Sequence, residues 1–161
     1  MKKIIAGVDE VGRGSLIGPV CAAAVILKNK INKKELRDSK KISKNKREIL
    51  SKYIKKNSFW SIGYASKTEI EKLNILNASL LAMKRAINKL KKKPGIVLID
   101  GNKVPNISRC KIKSIIKGDQ KIAEISAASI IAKVSRVIRF VSDDAMSAGS
   151  TKSIGSFTPV T

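Results

Sequence analysis

The residues of this chain whose types and spacing suit chemistry are two adjacent carboxylates, Asp9 and Glu10. They end a short apolar run, Ile4, Ile5, Ala6 and Val8, and open into a turn holding Gly12, Arg13, Gly14, Gly18 and Pro19. The run reads as a buried strand and the glycines as a bend, so the acids stand at a strand end, where open sheets build their sites. In a regular strand neighbouring side chains point to opposite faces, so the pleat is expected to relax at Glu10 for both acids to serve one site. Arg13 lies between two glycines, which lets a guanidinium and bare backbone N–H groups face a phosphate together. The loop is not a dinucleotide fingerprint, because Ile17 stands where the third glycine belongs and Gly18 comes one residue late. Nor does it hold the Lys-Ser or Lys-Thr pair of a phosphate-binding loop.

A third carboxylate repeats this design: Asp100 closes the run Ile96-Val97-Leu98-Ile99 and stands before Gly101. If the two strands are neighbours in one sheet, Asp9, Glu10 and Asp100 converge on one mouth. The chain has no histidine, which excludes a His general base, a His-dependent triad and His metal ligands. Chemistry must then rest on carboxylates, lysines or a metal. Cys21 and Cys110 are far apart in apolar or basic settings and read as reduced thiols rather than a disulfide or zinc site. Lys and Arg number 34 against 12 acidic residues, a net charge of +22, which repels itself unless a polyanion screens it. Nucleic acid is the natural candidate. No apolar run approaches membrane-spanning length, and Lys2-Lys3 leads into a strand rather than a signal-peptide cleavage site, so a soluble cytoplasmic protein without a membrane partner is expected.

Positioning these residues requires one core, for which 161 residues suffice. Residues 19–27 read as a second buried strand in a hairpin with the first, and 29–34 as a polar turn. Ser43 is a plausible N-cap for a basic helix through Ile54, and Phe59 to Ser66 reads as a third strand. From Thr68 to Leu90 apolar residues recur at helical spacing, with Asn74 or Asn77 as a break between two helices and Met83 in the core. Residues 91–95 form a turn into the strand that ends at Asp100, and 110–116 is a basic strand-like piece. Residues 122–136 form a small-residue helix suited to close packing on the sheet.

The stretch from Val8 to Val25, VDEVGRGSLIGPVCAAAV, resembles the opening of type 2 ribonuclease H, the bacterial ribonuclease HII family. The Asp-Ser-Lys-Lys segment at 38–41, LNILNASLLAMKRAINKL at 73–90 and the block at 122–136 are similar to further family segments, so the resemblance covers residues 4–136. It implies a ribonuclease H-like α/β fold, a mixed β-sheet with helices packed on it. It also implies endonucleolytic cleavage of RNA in RNA–DNA hybrids, or at ribonucleotides embedded in duplex DNA, by a monomer. By the resemblance Asp100 is the family's third carboxylate, Gly12, Arg13 and Gly14 read the ribose 2′-hydroxyl and junction phosphate, and Lys40 lies near the nucleic-acid backbone. Clustered carboxylates serve phosphodiester hydrolysis by holding two divalent ions, and oxygen-only ligands favour Mg²⁺ or Mn²⁺. Asp9 is expected to reach both ions, with Glu10 and Asp100 each completing part of the shell.

Past Arg136 the resemblance stops. The family carries an Asp directly after this arginine as a fourth metal-site carboxylate, and here the residue is Val137. A glycine-flanked tyrosine that stacks at the RNA–DNA junction has no counterpart. Residues 142–161 are rich in Ser, Thr, Ala and Gly and nearly free of lysine, which suggests a disordered, frameshifted, chimeric or truncated C-terminus following a catalytic domain over 1–141. Asp144 lies two helical turns beyond 137, about 10 Å, and neither it nor Asp143 replaces the missing ligand without rearrangement. Two alternatives accompany the enzyme reading: a catalytically impaired hybrid-binding protein, and another nuclease or recombinase on the same carboxylate scaffold.

Overall fold

The computed structural model describes residues 2–14, 18–37 and 41–155. Its five strands are β1 (Ile5–Val11), β2 (Val20–Leu27), β3 (Ser58–Ala65), β4 (Ile96–Asp100) and β5 (Lys111–Ile115), in the sheet order β3-β2-β1-β4-β5. β1 pairs antiparallel with β2, and β2 with β3, whereas β4 runs parallel to both β1 and β5. The sheet is therefore mixed, and β1 at its centre lies beside β4, as the strand-end acids require.

Helices α1 (Lys33–Arg37), α2 (Lys44–Lys56), α3 (Lys67–Leu73), α4 (Ile75–Lys89), α5 (Gly118–Lys121) and α6 (Ala123–Gly155) complete the chain. Alternation along the strands sorts the core into two layers. Ala6, Val8, Ala22, Ala24, Val97 and Ile99 meet Ala82, Met83 and Ala86 of α4 on one face. Cys21, Ala23 and Val25 meet Ala127, Ala128 and Ile131 of α6 on the other, with Leu36 and Ile54 closing the edge.

Small residues let the helices approach. A methyl group added at Gly7 would fall inside the Glu124–Ile125 backbone of α6, and one at Gly63 would collide with the α4 backbone at Ala82 and Ala86. Caps mark the helix starts: the Ser43 hydroxyl accepts from the Lys46 N–H at 3.3 Å, and Ser66 and Glu69 form a reciprocal capping box. Asn74, at φ 73°, separates α3 from α4, and its side chain accepts from the Asn77 N–H at 2.9 Å. Arg85 grips both Glu69 oxygens, at 2.8 and 2.7 Å, and holds the Glu69 carboxyl down to about 2.

Two expectations differ from what is observed. The polar turn at 29–34 ends in α1, whose Leu36 is fully buried. That single buried contact in a charged pentapeptide gives too little periodicity to read. The pleat does not relax at Glu10, since regular pairing continues through Glu10↔Ala22 and Val11↔Cys21. Within the tail expected from 142 onward, α6 extends as far as Gly155. No proline interrupts 137–155, so a composition too poor to pack is still able to keep helical backbone hydrogen bonds. Beyond Arg136 the helix leaves the core, with Val137, Ile138, Val141 and Met146 all exposed.

Gly7→Ala tests the helix-on-strand contact. It should lower stability by about 3 kcal/mol or more, because backbone rather than a movable side chain occupies the space. Gly14→Ala, with open space around it, should unfold in urea near the wild-type midpoint.

Candidate active site

Asp9 faces α6 from the last regular stretch of β1 and is 7% exposed. Its Oδ1 accepts from the Glu10 N–H at 2.8 Å, and its carboxylate is hydrogen-bonded to the Ser129 side chain of α6. Burial first, then the charges of Glu10 and Asp100, push this carboxyl well above the usual range, and the two hydrogen bonds oppose them without cancelling them.

Asp100 arrives beside it through the parallel pairing of β1 with β4. Val8 lies opposite Ile99, so the next residues along, Asp9 and Asp100, share one end of the sheet and one face. The backbone N–H of Gly118 donates to Asp100 Oδ1 at 2.7 Å, and that of Asp119 adds a second bond. Lys117 turns the chain to present these amides by adopting a left-handed conformation, φ 54° and ψ 39°, uncommon for a residue with a side chain. Burial nevertheless raises the Asp100 carboxyl, with the amides pulling the other way.

Glu10 belongs to the opposite face of β1 from Asp9, because the pleat is unbroken there. Arg13 lies 3.5 Å from its Oε1, whereas Oε2 is buried without a hydrogen-bond partner among the described residues. Burial raises Glu10, Arg13 lowers it and Asp100 raises it again, so it feels the charge on the other side of the strand.

The Gly12-Arg13-Gly14 turn is held by α6. Arg136 Nε donates to the Pro19 carbonyl at 3.1 Å, and its side chain fills the place that a Cβ on Gly12 would need. Gly12 has φ +111°, so both conformation and contact demand glycine there. Val137 follows, 47% exposed, in a small recess with Lys44, Arg47, Glu48, Lys133 and Val134. Lys40 lies outside the described residues.

Asp9 and Asp100 are thus brought together, with Glu10 coupled to them electrically but turned away. Among the described residues no three acidic or thiol side chains gather closely enough to form a ready metal shell. The donor chemistry still fits a hard divalent cation: three oxygen-only carboxylates, all raised by burial, and an orphaned Glu10 oxygen. Sequence reasoning missed Ser129, the Arg136 clamp and the α5 amides. Of these only the Gly118-Asp119 pair after a strand carried a local signal, that of a turn.

The sequence profile of Ribonuclease HII matches residues 6–160. The chain is 73% identical over 134 residues to a ribonuclease HII of Pelagibacter ubique, an alignment covering 83% of this chain and 72% of that protein. The ribonuclease H2 of Pyrococcus horikoshii superposes with TM-score 0.71 at 26% identity, over 96% of this chain and 79% of that one. Bst-RNase HIII in complex with Mn²⁺ shares the fold at TM-score 0.67 and 17% identity, covering 84% of this chain and 52% of its own.

Neutralising the crowded carboxylates should stabilise the metal-free protein. A carboxyl whose folded pKa exceeds its unfolded one costs stability while ionised. That cost shrinks as pH falls through the folded value and is gone below the unfolded value, about 3.9 for Asp. Asp9→Asn should therefore gain about 1 kcal/mol at neutral pH, the usual size of such relief. The gain should shrink on acidification, as followed by thermal melts in chelator. A variant less stable than wild type at neutral pH would contradict the electrostatic account.

Proposed function

The chain belongs to the ribonuclease HII family, the type 2 ribonuclease H endoribonucleases, and from that premise we propose that it cleaves the RNA strand of RNA–DNA hybrids, including single ribonucleotides embedded in duplex DNA. The observation that carries the site assignment is the side-by-side placement of Asp9 and Asp100, with Glu10 coupled to both. In this reading Asp9, Glu10 and Asp100 would hold a pair of divalent ions, Mg²⁺ or Mn²⁺, whose chemistry when bound is to stabilise charge on the attacking and leaving oxygens. Ser129 and the amides of Gly118 and Asp119 keep the two aspartates oriented.

The Gly12-Arg13-Gly14 backbone approaches the ribose 2′-hydroxyl, the group that separates RNA from DNA, and the clamp from Arg136 preserves its shape. Arg13, half-exposed and beside Glu10, is placed to turn from that carboxylate to the junction phosphate. Lys40 supplies a backbone contact, and the reading takes the enzyme to work as a monomer in the cytoplasm. Among the described residues no helix is long and apolar enough to cross a membrane. One observation favours the second reading, a hybrid-binding protein of impaired activity: position 137, where the resemblance implies an acid, is a half-exposed valine.

Purified protein with Mg²⁺ or Mn²⁺ and a duplex bearing one ribonucleotide, beside an all-DNA control, separates these readings. Cleavage leaving a 5′-phosphate at the ribonucleotide is expected, and Asp9→Asn or Asp100→Asn should reduce it by about two orders of magnitude or more while binding persists. Cleavage by Asp9→Asn at the wild-type rate would sink the assignment. Val137→Asp should raise activity, most at limiting metal. No gain at any metal concentration would place the defect outside the fourth carboxylate.

A further inference from the structure

The carboxylates occupy one end of the sheet, and the opposite end carries a second concentration of charge. Where β1 and β3 begin and β2 ends, a pocket of about 460 Å³ opens among Lys2, Lys3, Lys28, Lys33, Lys92 and Phe59. Among the described residues Glu124 is the one carboxylate in its wall, and it is bound to Lys33 with Nζ to Oε1 at 2.9 Å. Five ammonium groups thus face one acid.

Two of these charges are drawn together by a ring. The Lys28 and Lys92 ammoniums lie 5.0 and 5.2 Å from the centre of Phe59. Residues more than sixty positions apart therefore bring like charges within about 10 Å of each other through cation–π attraction. A solvated lysine surface lets such charges spread apart, whereas here an aromatic anchor preorganises them. The field this creates is relieved by a polyanion.

Location separates this pocket from the catalytic mouth. Ile5 stands in its wall, and Asp9 lies four residues further along the same strand, about 13 Å at strand rise, with the glycine turn beyond it. A duplex lying across the carboxylate end leaves the pocket facing away from it.

We propose that this pocket is a second nucleic-acid site, which takes a phosphodiester backbone without regard to sequence, so that one chain tethers a second nucleic-acid molecule while the first occupies the catalytic end. Ammonium groups act as point charges suited to successive phosphates. Among the described residues the wall holds no arginine fork, and Asn29 is its single side-chain amide. Base reading has little to work with there.

The test uses short all-DNA duplexes, some carrying a donor fluorophore and some an acceptor, mixed with the full chain at low salt without divalent metal. Wild type should produce energy transfer that disappears as salt rises. Lys28→Glu/Lys92→Glu should weaken bridging about tenfold or more and lower its salt slope by roughly two. Single-duplex binding and ribonucleotide cleavage should remain.

Lys72→Glu/Lys84→Glu, an equal charge change on exposed positions of α3 and α4, should keep bridging, and Lys28→Ala/Lys92→Ala provides a milder variant should the first fold poorly. Equal loss in the pocket and control variants would overturn the proposal. So would energy transfer that survives both pocket variants, which would point to protein dimers, or its absence in wild type at saturating single-duplex binding. Failure of the enzyme reading would appear separately, as bridging without cleavage.

Discussion

The direct seating of α6 on β1 is the contact on which the rest of the structure depends. With no side chain at Gly7, the helix backbone at Glu124 and Ile125 rests against the strand. The helix then follows the strand, so Ser129 reaches Asp9 and Arg136 reaches the turn between Gly12 and Pro19. A bulkier residue at position 7 would lift the helix and disturb both contacts together. Ala127, Ala128 and Ala132 on the same helix, all fully buried, continue the close packing that glycine begins.

That seating also sets the electrostatic character of the site. Burial beneath α6 is the largest influence on Asp9, and burial likewise leads for Glu10 and Asp100. Their charges repel one another, Glu10 acting from the opposite face of β1, and Arg13 offsets this only at the rim, 3.5 Å from Glu10. The arrangement costs stability in the bare protein. This crowding of acids lies in a chain whose net charge of +22 otherwise favours anions. The two poles of the sheet thus differ in sign of demand: acids at the C-terminal end of β1, and lysines gathered around Phe59 at its beginning.

The far end of α6 shows what happens when a helix outruns its sheet. As far as Arg136 the helix has a strand or loop to rest on, but from Val137 onward apolar side chains meet solvent. Fewer contacts persist there: Ser142 Oγ donates to the Ile138 carbonyl at 2.9 Å within the helix, and Arg139 still reaches back over the Tyr64 ring of β3 at 4.4 Å. Residue 137 sits at this transition. Its half-exposed valine lines a small recess with Lys44, Arg47, Glu48, Lys133 and Val134, at the point where the packing gives out.

Much of the fold was legible from local pattern. Apolar runs marked the buried strands, Ser43 marked the start of α2, and Asn74 was one of two breaks foreseen in the long helical segment. The likeness of Asp9 and Asp100, each closing an apolar run before a glycine-containing turn, was readable, whereas the neighbouring of their strands came from the sheet. The ribonuclease HII family itself was readable from residues 8–25, which carry a long and specific motif. Tertiary structure alone decided the side of the strand that Glu10 takes, because an unbroken register over β2 outweighed the freedom that the nearby glycines offered. It also decided that Ser129, Arg136 and the amides after Lys117 support the site, and that Lys28 and Lys92 meet over one ring. Sequence records periodicity and local conformational preference, both of which act between near neighbours. These contacts join segments distant along the chain, and their geometry exists only once the sheet and its helices have packed.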